Sequence, residues 1–312
     1  MDIIAILMLM HISGVGHTNI NRLLYKMKGL ELTPEALLDL SPRDISHQFG
    51  LRPEIAEDFF THRDQAQQTS EDLEHHEINI LHNEHPDFPE RLKNILGDSA
   101  PPVLFVRGNT SLLKQKALTV IGVRDYSEQG MNATRKNVET IIKQRNVVII
   151  SGNAAGIDAF AHQTALQSNG ATIFVLPHGI LHFHTKKWMV DCLTDQNHLI
   201  LSEFPPQLPW ITHAAMQRNR TLCALSQAVL LIETKTSGGS FSTAQNALKL
   251  KTPLFAIDYD PTPPSAEGNR LFLNKGALPI KEKSSDLTQL LDVFDNSLKT
   301  PQLHQEPRLF DD

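Results

Sequence analysis

Cysteine is almost absent. The 312-residue chain holds two, Cys192 and Cys223, which make no disulfide framework and fit a reducing compartment. Positive charge is not in excess either. The 29 Lys and Arg against 35 Asp and Glu leave a formal net charge of -6, so nothing global marks a nucleic-acid binder. Such a role needs its cations concentrated locally. Long apolar runs are missing as well. The opening MDIIAILMLMH carries Asp2, has no basic leader and no small-residue cleavage site, and falls far short of the about 20 residues that span a bilayer. It reads as the first helix of a soluble domain, and the expected location is cytoplasmic.

The usual chemical signatures are lacking too. A dinucleotide fingerprint needs three glycines as G-x-G-x-x-G, whereas SGNAAG at 151–156 supplies only Gly152 and Gly156; no glycine-rich turn is followed by the lysine and Ser/Thr of a Walker A loop. His178, His182 and His184 in PHGILHFH match no standard zinc spacing, and no cysteine or carboxylate lies beside them to complete a site. His162, one turn after Asp158 in an expected helix, reads as a packing histidine. No Ser-His-Asp set is discernible. The expectation is a protein without catalytic residue, cofactor or metal.

What the chain does contain is ordered alternation. Residues 1–75 show helical spacing, as in Ile20, Leu23, Leu24 and Met27, and Thr33-Pro34 and Ser41-Pro42 place capping residues before proline. Within this part ISGVGHTNINRLL has the form of half a helix-hairpin-helix, with Gly14-Val15-Gly16 at the turn; a purely steric turn fits equally well. Short strand-like pieces, INILHN and PPVLFVRG, follow. From 117 onward strands are expected at 118–121, 147–151, 172–176, 199–202, 229–233 and 254–257, and helices at 129–144, 158–168, 218–225 and 243–250. Apolar strands alternating with amphipathic helices imply a doubly wound, mainly parallel, Rossmann-like α/β sheet. The division expected is a helical SAM-like domain at 1–75, a Rossmann-like domain at 76–281, and a short helix (286–294) with a mobile tail at 282–312, where Leu309 and Phe310 could dock a partner.

Ligands of such sheets bind beyond the carboxyl ends of the strands. That rule gathers Gly122 and Arg124, Ser151 and Gly152, His178 and Gly179, Glu203, and the segment from Thr236 to Ser240. Three glycine-bearing turns opening onto helices, with an arginine among them, suit a phosphate. In QRNR at 217–220 one of Arg218 and Arg220 can reach the crevice while the other pairs with Glu203 or Glu233. Lys114, Lys116, Arg135 and Lys136 are candidates to strengthen the positive field.

Taken in order, DFPERL (87–92), PPVLFVRGN (101–109), IGVR (121–124), SGNAAGIDAFAH (151–162), LSEFPPQLP (201–209), QRNR (217–220), SGGSFSTA (237–244) and GNRLFLNKGA (268–277) resemble the DprA/Smf family of DNA-processing proteins over residues 5–280. The resemblance implies a helical SAM-like domain and an extended Rossmann-like domain. It also implies a homodimer that binds single-stranded DNA without strong sequence preference, is not an enzyme, and helps load a RecA-type recombinase in natural transformation. The family's pocket arginine falls on Arg124, its SG turn on Ser151 and Gly152, and its phosphate-facing segment on Ser237 to Ser240. With Gly122, Asn153, Arg218, Gly238 and Gly239 these form the expected single-stranded-DNA and phosphate-binding set. Departures are visible. Val123 stands where the family has a small hydroxyl, HFHTKK replaces a tyrosine-proline, and Ala215-Met216 replaces an aromatic-proline pair, leaving Trp210 or Phe183 as base-stacking substitutes. Ile257-Asp258 replaces a proline-glycine step, and little sequence follows 281 where many relatives have a winged-helix-like domain. Two other readings stay open: a nucleotide sensor of the LOG-like Rossmann group, whose catalytic glutamate has no counterpart after Thr243, and an adaptor of a phage-defence or mobile-element system.

Overall fold

A computed structural model describes residues 3–296; the expected tail, with Leu309 and Phe310, lies outside them. The helices are α1 (Ile4–His11), α2 (His17–Gly29), α3 (Pro42–Phe49), α4 (Pro53–Thr61), α5 (Arg63–His75), α6 (Glu90–Leu96), α7 (Glu128–Arg145), α8 (Ile157–Gln167), α9 (Thr212–Leu225), α10 (Gly239–Lys249), α11 (Asn269–Leu273) and α12 (Thr288–Asp295). The strands are β1 (Asn79–His82), β2 (Val103–Gly108), β3 (Ala117–Ile121), β4 (Val148–Ser151), β5 (Thr172–Val175), β6 (His198–Ser202), β7 (Ala228–Leu231), β8 (Leu254–Asp258) and β9 (Leu278–Lys281). The fold class is the expected mixed α/β type with mainly parallel pairing and a helical N-terminal part.

The chain forms two compact units that interleave in sequence. One comprises residues 3–88, 98–112 and 173–218. Its centre is α1, in which Ala5, Ile6, Leu7, Met8 and Leu9 are all buried. A helix apolar on every side must be surrounded, and residues of α2 to α5 such as Ile20, Phe49, Phe59 and Leu73 enclose it. Ser41 caps α3 by accepting from the Asp44 amide at 3.2 Å, with Pro42 in the first turn, which is the start that Ser41-Pro42 signals. The same core runs into Val103 and Phe105 of β2, Phe174 of β5 and Ile200 of β6. In this unit the strand order is β1-β2-β6-β5, with β2 antiparallel to both β1 and β6.

The other unit comprises residues 89–97, 113–172 and 219–296. Its strands run in the order β4-β3-β7-β8-β9, every pair parallel. Side chains alternate across a strand, and here both faces are apolar. Val120, Ile149, Leu230 and Phe255 pack with Ile141 of α7, Ala161 of α8 and Phe294 of α12. Ile121, Val229, Leu231 and Ala256 meet Cys223 of α9, Ala244 of α10 and Phe272 of α11. Helices on both faces are the doubly wound arrangement.

Two helix starts differ from the sequence reading. α9 begins at Thr212 rather than 218, because THAAMQ after Pro209 has no breaker. α10 begins at Gly239 rather than 243: Gly238 takes φ +102° and turns the chain immediately before it. Gly239 and Ser240 are therefore the first residues of a helix, not of a loop.

Candidate nucleic-acid interface

Strands β4, β3 and β7 are neighbours, so the three glycine-bearing turns leave from one edge side by side. The chain passes from β3 through α7 to β4 on one flank, while β7 lies on the other. β3 and β7 thus flank the topological switch point, where ligands of open α/β sheets bind. The paired residues Ile121 and Leu231 launch the turns that carry Arg124 and Ser237 to Ser240.

A helix start is an anion site only while its first amides are open. By that test the three turns separate. The start of α7 is closed: Ser127 caps it by accepting from the Gly130 amide at 2.9 Å. Ser127 is itself held by the buried carboxylate of Glu233, which accepts from the Ser127 hydroxyl and, at 3.0 Å, from its amide. Glu233 thus secures a helix cap through Ser127, where the sequence predicts an arginine partner.

The start of α8 is closed too. The Ile157 amide donates to the Val123 carbonyl at 3.1 Å. Gly156 sits at φ +85°, and a Cβ there would lie 2.4 Å from the Val123 and Arg124 carbonyl oxygens. A Cβ on Gly122 would meet Ile157 at 2.5 Å. These two glycines let the β3 turn and α8 touch. Ser151 is buried with its hydroxyl donating to the Val120 carbonyl at 2.7 Å, and the Gly152 amide donates to Asp158 at 3.1 Å. Asn153 follows in the left-handed region at φ 57°.

The start of α10 is different. No side chain caps it, and Ser237, Gly238 and Gly239 are exposed. The Ser240 hydroxyl meets that of Thr234 at 3.0 Å, and within the helix the Gly239 carbonyl accepts from the Thr243 hydroxyl at 2.9 Å. Arg124, on the neighbouring turn, is exposed, and its guanidinium has no hydrogen bond or ion pair to any described residue. A cleft of about 480 Å³ bordered by Asp125, Tyr126, Ser127 and Lys235 lies between these same two turns.

Arg218 belongs to the other compact unit. It is buried in α9 and donates to the Val175 carbonyl at 2.8 Å. His178, in the same unit, is held below the ordinary imidazole range, first by burial and in part by nearby Arg218. Gly179 is packed against Pro205 and Pro206, and Glu203 is buried. The His178 and His182 rings meet edge-on at 6.1 Å, and no group of His, Cys, Asp or Glu among the described residues is arranged to hold a metal. His162 packs as expected, its Nδ1 2.6 Å from the Thr172 hydroxyl. Phe183 is buried against Phe174 and beneath Arg107, so it offers no stacking face; Trp210 remains 55% exposed. Of the basic residues expected to widen the field, Lys136 is tied to the Glu282 and Ser284 carbonyls and Arg135 lies over the Phe160 ring. Among the described residues no helix is long and apolar enough to cross a membrane.

The sequence pattern of the family described as DNA recombination-mediator protein A matches residues 79–292. Protein Smf of Escherichia coli is 34% identical over 210 residues, covering 64% of this chain and 56% of that protein; the chain thus matches little more than half of that relative's length. Among solved structures, DNA processing protein A from Streptococcus pneumoniae superposes with a TM-score of 0.73 at 28% identity, over 86% of this chain and 91% of that one. DNA processing protein A from Helicobacter pylori, solved for its single-stranded DNA binding mode, superposes with a TM-score of 0.58 at 27% identity, over 71% and 95%.

Proposed function

The chain belongs to the DNA recombination-mediator protein A family, and from that premise we propose that it binds single-stranded DNA as a non-enzymatic mediator of DNA processing. The observation that carries the reading is the pairing of an exposed, unpartnered Arg124 with the uncapped start of α10 at the switch point. One supplies an exposed cation and the other uncapped amides and the positive end of a helix dipole. Together they take successive backbone phosphates, while Ser237 and Ser240 add hydroxyls. The turns carrying Gly122, Ser151, Gly152 and Asn153 hold this edge in shape, and Arg218 braces β5 within its own unit. The strand-end acids Glu203 and Glu233 are buried, and Glu233 is engaged by Ser127, which supports binding rather than acid-base catalysis.

In the cell this reading makes the protein a cytoplasmic homodimer that coats single strands and passes them to a RecA-type recombinase. The test is fluorescence anisotropy of a labelled oligothymidylate, single-stranded against duplex, across a salt series. Tight binding that prefers the single strand and weakens steeply with salt is expected, as is its loss in Arg124→Glu with an unchanged melting temperature. Undiminished binding by folded Arg124→Glu overturns the site, and absence of binding by the wild-type protein at low salt overturns the function.

A further inference from the structure

Beside Arg124 the same turn carries an aromatic ring that the phosphate reading leaves unused. Tyr126 is 38% exposed. Its ring runs nearly parallel to that of Phe160 in α8, with centroids 6.2 Å apart and an interplanar angle of 23°. Phe160 is half-buried, and the Arg135 guanidinium lies 5.4 Å from its centroid. Tyr126 is thus supported from behind by a ring that is itself held by a cation. Tyr126 also lines the cleft between the β3 and β7 turns, together with Asp125, Ser127, Lys235, Pro264, Ser265 and Glu267.

We propose that Tyr126 is a stacking platform for one nucleobase of the bound strand, which enters this cleft while its neighbouring phosphates lie on Arg124 and the α10 start. The inference rests on the single-strand reading above and names a subsite within it. Four features select a base. A flat, exposed ring offers a π-face that any base can cover. Asp125 and Glu267 outnumber Lys235 on the rim, so the cleft repels a phosphate while accepting a neutral heterocycle. The same two carboxylates accept hydrogen bonds from exocyclic amino groups, as acids do with cytosine N4. Finally, Tyr126 lies two residues from Arg124, so one short turn presents a cation and a ring together, matching the phosphate-sugar-base repeat of a single strand. In a duplex the bases are stacked and paired, and their π-faces are closed to such a platform.

The test compares Tyr126→Ala and Tyr126→Trp with the wild-type full-length chain. The probes are an oligothymidylate, an abasic oligonucleotide of the same length, and an oligonucleotide carrying 2-aminopurine. Tyr126→Ala is expected to weaken oligothymidylate binding about tenfold, the scale of one lost base-aromatic stack, and to leave abasic binding unchanged. It is also expected to relieve quenching of 2-aminopurine, while Tyr126→Trp retains affinity and quenching. Equal loss on both unmodified and abasic strands, or no loss at all, overturns the platform. If the wild-type protein binds with a steep salt dependence and Tyr126→Ala binds equally well, the single-strand reading stands and the platform falls. If the wild-type protein binds neither probe, both fall. A melting curve for each variant separates lost binding from lost folding.

Discussion

The carboxylate of Glu233, just past the end of β7, holds both the hydroxyl and the amide of Ser127, the residue that caps α7. One buried acid thereby fixes the helix that follows β3 to the strand beside it, at the edge where the proposed phosphate site lies. Gly130 makes room for it: a Cβ there would fall 2.5 Å from the Glu233 carboxyl carbon.

Removing the two partners separately gives unequal losses. Ser127→Ala deletes a cap and is expected to destabilise by about 1 kcal/mol. Glu233→Ala leaves the Ser127 amide unsatisfied beside a new cavity and is expected to lose about 2–4 kcal/mol. Because the two residues act as one unit, the double variant should lose less than the summed single losses. Urea unfolding of the four proteins checks this, and strict additivity would show that the two groups act independently.

Two glycines with positive φ offer a sharper contrast. At Gly156 a side chain would strike the backbone of Val123 and Arg124, whereas at Gly238 nothing lies within 4 Å of the added Cβ. Gly238→Ala should therefore show only the cost of placing a side chain on a backbone at φ 102°, ψ -170°, a region essentially confined to glycine, about 1–3 kcal/mol. Gly156→Ala adds a clash with carbonyl oxygens that have no room to move, so it should be the more destabilised of the two and should displace the Arg124 turn. Thermal melts rank them, and a Gly238→Ala melting lower than Gly156→Ala contradicts the packing described.

Much of this edge was legible in the sequence because strand-to-helix turns announce themselves. IGVRDYS, IISGNAAGIDAF and IETKTSGGSF each join an apolar run to a helical pattern across glycine, and the parallel order that brings the turns together follows from the alternation. Other features depend on contacts distant in sequence. Nothing near Glu233 signals that its acceptor groups are taken by Ser127, 106 residues earlier. The alternating pattern of HFHTKK does not reveal that Phe183 turns inward onto Phe174. Helix α1, apolar from Ile4 to Met10, reads as a first helix, yet its burial comes from a core shared with β2, β5 and β6, which long-range contacts alone decide. Tyr126 carries no sequence signal, because a lone tyrosine gains meaning only when Phe160 is placed behind it.

Acid should weaken the unit built around α1. His11, His178 and His198 are each held below the ordinary imidazole range, chiefly by burial, with like-charge repulsion from His62, from His182 and Arg218, and from Arg107 respectively. A folded-state value below the unfolded one means that the unfolded chain takes up protons first as the pH falls. Stability is therefore full above about pH 6.5, the unfolded histidine value, and declines as pH drops from there toward the folded values, levelling off below them. Melting temperatures at pH 7.5 and 5.5 should differ in that direction, and His178→Asn should narrow the gap. An increase in stability on acidification contradicts the burial of these rings.

The two arginines of the expected site should respond to substitution in different ways, because one faces solvent and the other a carbonyl. Arg124 has no partner among the described residues, so Arg124→Ala should leave the melting temperature unchanged. It should also reduce the slope of log affinity against log salt by about 0.7, the share of one phosphate contact on a single strand. Arg218 is buried with its guanidinium on the Val175 carbonyl. Arg218→Ala strands that acceptor and empties space inside its unit, and should lower stability by about 2–4 kcal/mol with little change in salt slope per folded molecule. Anisotropy titrations at several salt concentrations, paired with melting curves, measure both quantities. A salt slope that falls in Arg218→Ala but not in Arg124→Ala would move the phosphate contact from the β3 turn to α9 and would require a different binding edge.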